Sequence, residues 1–198
     1  MAAGTHYDLN PVLQEEELYR IDTGVKKIGP WKLDTTNLVA GSYLPVFTPV
    51  EVSMTKRTIS VVRNVRVVEA YKTADEKTTI KIAKNSLAYA NMFLGDGKKG
   101  CTVSSIDKSN ADYDVLNIAT AFASDIAVGD ILFESTAAGG TVKKNTANYV
   151  LYARTKVDFG GTYPTLLIQA YGIMEHKLVL PIHTLDKNGL TSRFEWDY

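Results

Sequence analysis

A glycine-rich segment is the first place where this 198-residue sequence could carry chemistry. Gly95, Gly97 and Gly100 match the spacing G-x-G-x-x-G, which binds a dinucleotide pyrophosphate when the glycines open a helix. Residues 101–104 follow directly and are strand-like in composition, and no strand–helix–strand pattern surrounds the segment. We therefore predict a tight glycine turn within a hairpin, and no phosphate site.

Histidines and carboxylates are the next candidates for chemistry. His176 and His183 stand seven residues apart, and Pro181 between them breaks the helix that an i, i+4 zinc site needs. We predict that both histidines are surface or packed side chains. Asp112 and Asp114 share one face of a strand, as a general acid/base pair could, but a solvated sheet edge has the same pattern. We predict the solvated edge.

Other signatures of catalysis and of metal binding are missing from the sequence. Cys101 is the single cysteine, which excludes an internal disulfide framework and a cysteine-based zinc site. Neither a G-x-S-x-G nucleophile elbow nor an acidic calcium loop occurs. We predict no enzyme activity, no catalytic residue, no cofactor and no metal. An enzyme of unassigned class is the alternative, supported by a bound metal or by a hydrolase activity lost in His176→Ala.

Composition and charge narrow the classes of partner. Twenty-two Lys and Arg residues balance 22 Asp and Glu residues, and a formal net charge of zero argues against nucleic-acid binding. No apolar run approaches the ~20 residues that cross a bilayer. The first residues lack the basic and apolar regions of a signal peptide. We expect an intracellularly made protein that binds neither nucleic acid nor membranes.

Short β segments separated by turns dominate the sequence from residue 41 onward. The predicted strands are residues 43–52, 59–71, 78–83, 101–106, 113–118, 126–133, 141–144, 149–157, 165–171 and an aromatic strand at 194–198. This spacing predicts a mainly β fold, a small antiparallel barrel or sandwich. Pro45 and Pro49 suit an edge strand or a crossing arm. The apolar face switches near Arg63 and Asn64, as at a bulge or a bend.

The first 37 residues are predicted to form an extended or helical N-terminal arm, and residues 38–198 the β-rich body. Asn10 and Pro11 fit the start of a short helix over residues 11–21, whose early glutamates favour the helix dipole. So short a helix is marginal in isolation and needs a partner, either its own body or a neighbour. A mobile terminus is the alternative.

A basic cluster and an aromatic end supply candidate interface residues. Lys56, Arg57, Arg63 and Arg66 surround one strand region, but the interleaved exposed aromatics of a nucleic-acid site are missing. We predict that the acidic arm of the same or a neighbouring subunit pairs with this cluster. The aromatic terminal strand also needs a partner. The candidate arm or subunit interface is Glu15, Glu16, Glu17, Arg63, Arg66 and Trp196.

A family resemblance is carried by segments spread over the body. They are residues 38–46, 80–87, 97–106, 126–133, 148–151, 170–178 and 185–190, followed by the aromatic end. Their order resembles the head decoration and head fibre proteins of tailed bacteriophages, including crAss-like phages of Bacteroides-like gut bacteria. The resemblance covers roughly residues 38–198, and its motifs are turn and strand patterns without reactive groups.

The resemblance implies a structural virion protein on the outer surface of a phage capsid, made in the host bacterial cytoplasm. Such a protein decorates or cements the major capsid lattice, or forms the base of a head fibre. Its implied partners are the major capsid protein, further copies of itself in a homotrimer, and in some relatives a head-fibre protein or a host surface glycan. The alternative is a carbohydrate- or receptor-binding module, which requires exposed Trp31, Trp196 or tyrosines.

Overall fold

Two β-sheets make up most of the computed structural model, which describes residues 17–197. The strands are β1 (Val25–Lys27), β2 (Lys32–Leu33), β3 (Tyr43–Leu44), β4 (Pro49–Ser53), β5 (Thr58–Val61), β6 (Asn64–Arg66), β7 (Thr79–Ala83), β8 (Phe93–Gly95), β9 (Gly100–Asp107), β10 (Tyr113–Ile118), β11 (Ile131–Glu134), β12 (Tyr149–Leu151), β13 (Thr155–Lys156), β14 (Leu166–Met174) and β15 (Phe194–Asp197). Short 3₁₀ turns lie at Ile21–Thr23, Thr73–Asp75, Glu175–Lys177 and Thr191–Arg193, and one α-helix, α1, spans Thr184–Leu190. The predicted mainly β fold is confirmed.

The first sheet has the strand order β1-β14-β12-β4-β5-β2, and β15 extends it by pairing in parallel with β14. Both faces of this sheet are covered. Neighbouring residues on β12, Val150 and Leu151, enter two different apolar clusters because successive side chains of a strand point to opposite faces. One cluster is built on Phe47 and Phe194 and the other on Trp31. The predicted need of the aromatic terminal strand for a partner is met by β14.

The second sheet has the order β6-β11-β8-β9-β10-β7, with antiparallel neighbours throughout. An isolated bridge between Val67 and Ile82 connects the chain after β6 to β7, so the two ends of the sheet approach each other. The sheet therefore curls around its own apolar cluster, which includes Met92, Leu116 and Phe122. This curl agrees with the predicted barrel or sandwich.

The chain passes from the first sheet to the second between β5 and β6. Val61 ends β5 in the first sheet, and Asn64 begins β6 in the second. Val62 packs into the cluster of Phe47, whereas Val65 packs into the core of the second sheet. The predicted change of face near Arg63 and Asn64 is the crossing between the two sheets.

Some predicted strands differ from the observed ones. Pro49 opens β4, and β4 lies between β12 and β5 inside the first sheet, so the predicted edge strand is wrong. A proline is tolerated at the first residue of a strand because its missing N–H lies at the end of the ladder. Residues 141–144 contribute only an isolated bridge between Lys143 and Ser135. Residues 126–133 hold a bridge at Ile126 and then the start of β11.

The N-terminal region is described from Glu17 onward. Residues 17–20 are not helical, since Arg20 has extended backbone angles, so the predicted helix fails over this part, and residues 11–16 lie outside the described range. β1 and β2 join the first sheet, and Trp31 is buried in its core. The division into an arm and a body stays a prediction, and residues 17–37 contribute strands to the body. From residue 17 to residue 197, no helix is long and apolar enough to cross a membrane.

Candidate binding groove and buried polar clusters

An apolar groove lies where the described chain begins. It consists of two adjoining depressions of about 420 and 390 Å³, which share Leu18, Val46 and Arg154. The first is lined by Leu18, Tyr43, Pro45, Val46, Asn85, Leu87, Arg154, Lys177 and Val179, and the second by Glu17, Leu18, Tyr19, Ile21, Val46, Tyr152, Ala153 and Arg154. Tyr43, Val179 and Ile21 are each about half exposed or more, so the groove presents apolar surface to its surroundings.

Cationic side chains lie on the aromatic rings of this groove. The Arg154 guanidinium sits 4.0 Å from the centre of the Tyr43 ring, and Lys26 Nζ sits 4.1 Å from that of Tyr152. Cations in this position are attracted to the ring face and keep their charge accessible at the rim. The groove therefore suits a segment that combines apolar side chains with carboxylates.

Hydrogen bonds to β14 hold the chain beside the groove. Leu18 accepts a hydrogen bond at its carbonyl from Met174 N at 2.9 Å, and Arg20 N donates to the Tyr171 carbonyl at 3.0 Å. The Tyr19 ring packs 5.8 Å from that of Phe47, in the core. From Leu18 onward the chain is therefore fixed to the body, and Glu17 lines the groove beside it.

Arg63 belongs to a buried polar cluster and not to an open basic surface. Its side chain is 6% exposed, and its Nη1 lies 3.2 Å from an oxygen of Glu134, which is 3% exposed. Arg63 Nη2 also donates to the Thr36 carbonyl at 2.7 Å. Lys144 and the Tyr89 hydroxyl donate to the other oxygen of Glu134 at 2.8 and 2.5 Å. Burial raises the pKa of Glu134, but these donors and the Arg63 charge outweigh it, so the pKa lies below its ordinary value.

A second buried cluster surrounds Asp186 at the start of α1. Lys143 forms an ion pair with Asp186 Oδ2, and Asn64 Nδ2 donates to the same oxygen at 2.8 Å. Asp186 Oδ1 accepts from Ala147 N at 2.9 Å, and the backbone N–H of His183 donates to Oδ2 at 3.2 Å. The side chain of His183 in turn caps the helix, so Asp186 and His183 form a capping box.

The predicted interface residues lie in different places. Glu17 lines the groove, and Glu15 and Glu16 lie outside the described residues. Arg66 is half-buried on β6, opposite Ile131 of β11. Because Arg63 is buried and paired with Glu134, a contact of this residue with the acidic arm would have to displace that carboxylate. The pairing of the arm with the basic cluster stays a prediction.

Trp196 occupies the terminal strand, as the sequence indicates. The centre of its ring lies 6.2 Å from that of Phe47, and the ring stacks on that of Phe194. Lys187 Nζ lies 5.1 Å from the centre of the Trp196 ring. The side chain is half-buried. Much of the Trp196 surface is therefore packed against the core of its own chain. Its role in a subunit interface stays a prediction.

The glycine-rich segment forms the predicted turn, between β8 and β9. Gly97 has the left-handed angle φ = 93°, and Asp96 Oδ1 accepts the backbone N–H groups of Lys98 and Lys99 at 2.7 and 2.6 Å. The backbone N–H groups of Lys98 and Lys99 are thus satisfied by a side chain of the turn itself. The hairpin prediction is confirmed, because β8 and β9 pair antiparallel on either side of the turn, with Gly95 opposite Gly100.

Asp114 differs from the solvated edge that its spacing with Asp112 suggests. Asp112 is exposed, whereas Asp114 is buried and pairs with Lys84 Nζ at 2.7 Å. The prediction is wrong for Asp114. Lys84 also donates to the Lys108 carbonyl at 3.0 Å, so the ammonium bridges a strand and a turn.

Cysteine and metal chemistry can be judged over the described part of the chain. Burial raises the pKa of Cys101 to about 12, so the side chain is a neutral thiol at physiological pH. Within residues 17–197, no three His, Cys, Asp or Glu side chains are grouped so as to hold a metal ion.

The buried clusters are absent from the sequence predictions, although a signal for one of them exists. His183 and Asp186 have the i, i+3 spacing of a capping box, with histidine in the place of serine or threonine. The pattern predicts the start of α1 but not the burial of Asp186. Asp186 pairs with Asn64 and Lys143, and both of these residues lie far from it in the sequence.

Comparison with known proteins gives one family match. A family model described as "Head fiber protein" matches residues 3–163, which is more than half of the chain. No curated protein and no solved structure matches the chain. The match includes both sheets up to the segment before β14, and it includes the groove residues Tyr43, Val46 and Arg154.

Proposed function

The chain belongs to the head fiber protein family of bacteriophages, and from this premise we propose that it is mounted on the outer surface of the phage capsid. Membership makes it a structural component of the virion. The proposed role is to decorate the lattice of the major capsid protein or to form the base of a head fibre. Such a role needs a rigid body and an attachment surface, and it needs no catalytic turnover.

The observation that supports this proposal is the groove beside the start of the described chain. Interface cores are enriched in aromatic residues and arginine, and the groove combines Tyr43, Tyr152 and Arg154. Its apolar lining is left partly exposed in the single chain, as expected for a surface that another chain covers. The groove is therefore the proposed assembly surface.

The proposed occupant of the groove is the N-terminal segment, residues 1–16, of a neighbouring copy. This segment carries apolar residues such as Val12 and Leu13 beside the carboxylates of Glu15 and Glu16, which complement the cations at the rim. An extended segment of this length reaches roughly 50 Å, enough to cross to another subunit. When each copy inserts its segment into the next, the contact closes into a ring, and three copies give the proposed homotrimer.

Reversing the charge of Arg154 tests this assembly. We expect Arg154→Glu to raise the dissociation constant of the oligomer about tenfold or more, because a carboxylate then faces the carboxylates of the arm. Light scattering over a dilution series measures the constant. Adding Glu15→Lys and Glu16→Lys to Arg154→Glu restores part of the affinity.

The control for this test is Lys98→Glu, on the exposed turn between β8 and β9, which leaves the oligomer unchanged. An oligomer that is equally stable in Arg154→Glu and Lys98→Glu contradicts the proposal. A wild-type protein that is monomeric at every concentration also contradicts the exchange of segments between copies.

Binding to phage heads tests the proposed location. We expect the full-length protein to sediment with purified heads that lack it and to saturate at a fixed number of copies, because the capsid lattice offers a repeated site. Heads that already carry the protein should take up no more. Protein that stays in the supernatant, while still folded and oligomeric, would exclude attachment to the capsid.

The alternative function, a carbohydrate- or receptor-binding module, draws on exposed aromatic rings. Trp31 is buried and Trp196 packs on Phe47, so neither tryptophan offers an open platform. Phe159 and Tyr163 are exposed on the loop between β13 and β14. Binding of the isolated protein to a glycan array would favour this alternative.

A further inference from the structure

An amine, an amide and a carboxylate meet in the cluster at the start of α1. Lys143 Nζ lies 2.9 Å from Asn64 Oδ1 and contacts Asp186 Oδ2. Asn64 Nδ2 lies 2.8 Å from the same Asp186 oxygen. Because Oδ1 is bonded to Cγ, this hydrogen bond holds the amine at the amide oxygen, one bond away from the carbon that it would attack. A single carboxylate oxygen thus contacts both the nitrogen that could attack this carbon and the nitrogen that could leave it.

The three side chains are almost completely shielded from solvent. Lys143 is 4% exposed, Asn64 is 2% exposed, and Asp186 is fully buried. The Phe133 ring lies 5.6 Å from Lys143 Nζ, and the His183 ring packs edge-on against Phe133 at 5.1 Å. Water, which would compete with the amine or hydrolyse an activated amide, is therefore largely excluded.

The same surroundings make the ammonium proton of Lys143 easier to remove than in an exposed lysine. Burial lowers the pKa of Lys143, and the charge of Asp186 only partly opposes this effect. The contact with Asp186 gives the ammonium proton an acceptor within the cluster. The Lys143 amine is the nucleophile, and the Asn64 carbonyl group that it contacts is the electrophile. Holding the two groups together favours a reaction between them.

We propose that Lys143 and Asn64 form an intramolecular isopeptide bond in the folded chain. In this reaction Lys143 Nζ attacks Asn64 Cγ and forms a new C–N bond, while the Cγ–Nδ2 bond breaks. Asp186 accepts a proton from the attacking amine and passes it to Nδ2, which leaves as ammonia. One amine and one primary amide thus become one secondary amide and ammonia, with no change of oxidation state and no further reactant.

The bond would link parts of the fold that are distant along the chain. Asn64 begins β6 at the crossing between the sheets, and Lys143 lies in the segment between β11 and β12, beside α1. A covalent link between these positions closes a long loop and restricts the unfolded chain, as a disulfide does. The inference is independent of the proposed attachment to the capsid, since it concerns a reaction within one chain.

Intact mass spectrometry of the denatured full-length protein tests the proposal. The expected mass is lower than the sequence mass by one molecule of ammonia. Trypsin should not cleave after Lys143, because an acylated lysine is not a substrate, and a branched peptide containing both Asn64 and Lys143 should appear. The sequence mass together with normal cleavage after Lys143 overturns the proposal and leaves a simple buried ion pair.

Three variants make the test specific. Lys143→Arg keeps a cation but lacks a nucleophilic amine, so its mass should equal its sequence mass. Asn64→Asp should lose water in place of ammonia. Lys84→Arg alters a second lysine–aspartate pair, that with the buried Asp114, and should still lose ammonia. Persistence of the ammonia loss in Lys143→Arg would overturn the proposal, and the wild-type mass decides the outcome if a variant fails to fold.

Discussion

Replacing Glu134 by glutamine should lower the free energy of unfolding by about 3–5 kcal/mol, the usual cost of removing one partner of a buried ion pair. The variant leaves the Arg63 charge in place but removes the carboxylate that balances it. Lys144 and Tyr89 lose the ionised acceptor of their hydrogen bonds at the same time. Urea unfolding followed by circular dichroism measures the change as a lower midpoint at an unchanged slope.

The matched control for this variant is Glu69→Gln. Glu69 forms an ion pair with Lys81 at 2.6 Å, but more than half of its side chain is exposed. Exposed pairs contribute little because water solvates both charges and salt screens their attraction. We therefore expect no resolvable change in the urea midpoint for Glu69→Gln. Equal midpoints for the two variants would show that the buried Glu134 pair contributes no more to the free energy of unfolding than the exposed Glu69 pair.

Acid provides an independent signature of Glu134. Its folded pKa lies below the ordinary value of 4.5, so the carboxylate stabilises the fold at pH values above that ordinary value. This contribution is lost as the pH falls through the folded pKa. The stability difference between the wild-type protein and Glu134→Gln should therefore shrink in acid, below about pH 4.5. A difference that stays constant down to the acid unfolding transition would contradict this assignment.

The sequence predicts those parts of the fold that depend on local patterns. Residues 59–71 are rich in valine, but the face that carries it changes at Arg63, and the structure shows a crossing between sheets at this point. The turn at Gly97 is equally local, because a left-handed residue between two short strands requires glycine or a close substitute. Both features are set by neighbours within a few residues, which the sequence displays directly.

Position within a sheet is not local, and here the sequence misleads. Pro49 suggests an edge strand, yet the neighbours of β4 are β5 and β12, and the register places Tyr149 opposite Val50. A segment that lies 99 positions away along the chain thus decides whether β4 is central or at an edge. The prolines alone could not reveal this, because only the first residue of β4 lacks its donor.

Buried charges are predictable in part. In β10, every second residue is buried, and Asp114 lies on the same buried face as Leu116 and Ile118. The alternation of the strand therefore already places its carboxylate in the interior of the fold. The same alternation could have predicted its burial. Its partner Lys84 and the donors to Glu134 come from elsewhere in the chain, and composition does not identify them.

Replacing Gly140 by alanine should lower the free energy of unfolding by about 3 kcal/mol, from left-handed backbone strain together with overpacking. Gly140 has φ = 68°, and a Cβ atom there would lie 2.2 Å from the Lys99 carbonyl oxygen. A Cβ atom at Gly95 would likewise lie 2.2 Å from the Gly140 carbonyl oxygen, and Gly97 N donates to this oxygen at 3.1 Å. The glycines of the hairpin turn therefore serve a close contact between two backbones.

The adjacent glycine provides the control for this prediction. A Cβ atom at Gly139 would have no heavy atom within 4 Å, apart from those of its chain neighbours, and Gly139 does not adopt a positive φ. Gly139→Ala should therefore change the free energy of unfolding by no more than about 0.5 kcal/mol. Urea titrations of both variants give the comparison under identical conditions. Similar free energies of unfolding for Gly139→Ala and Gly140→Ala would contradict the prediction. The close contact between the hairpin and the segment at residue 140 would then contribute no stability.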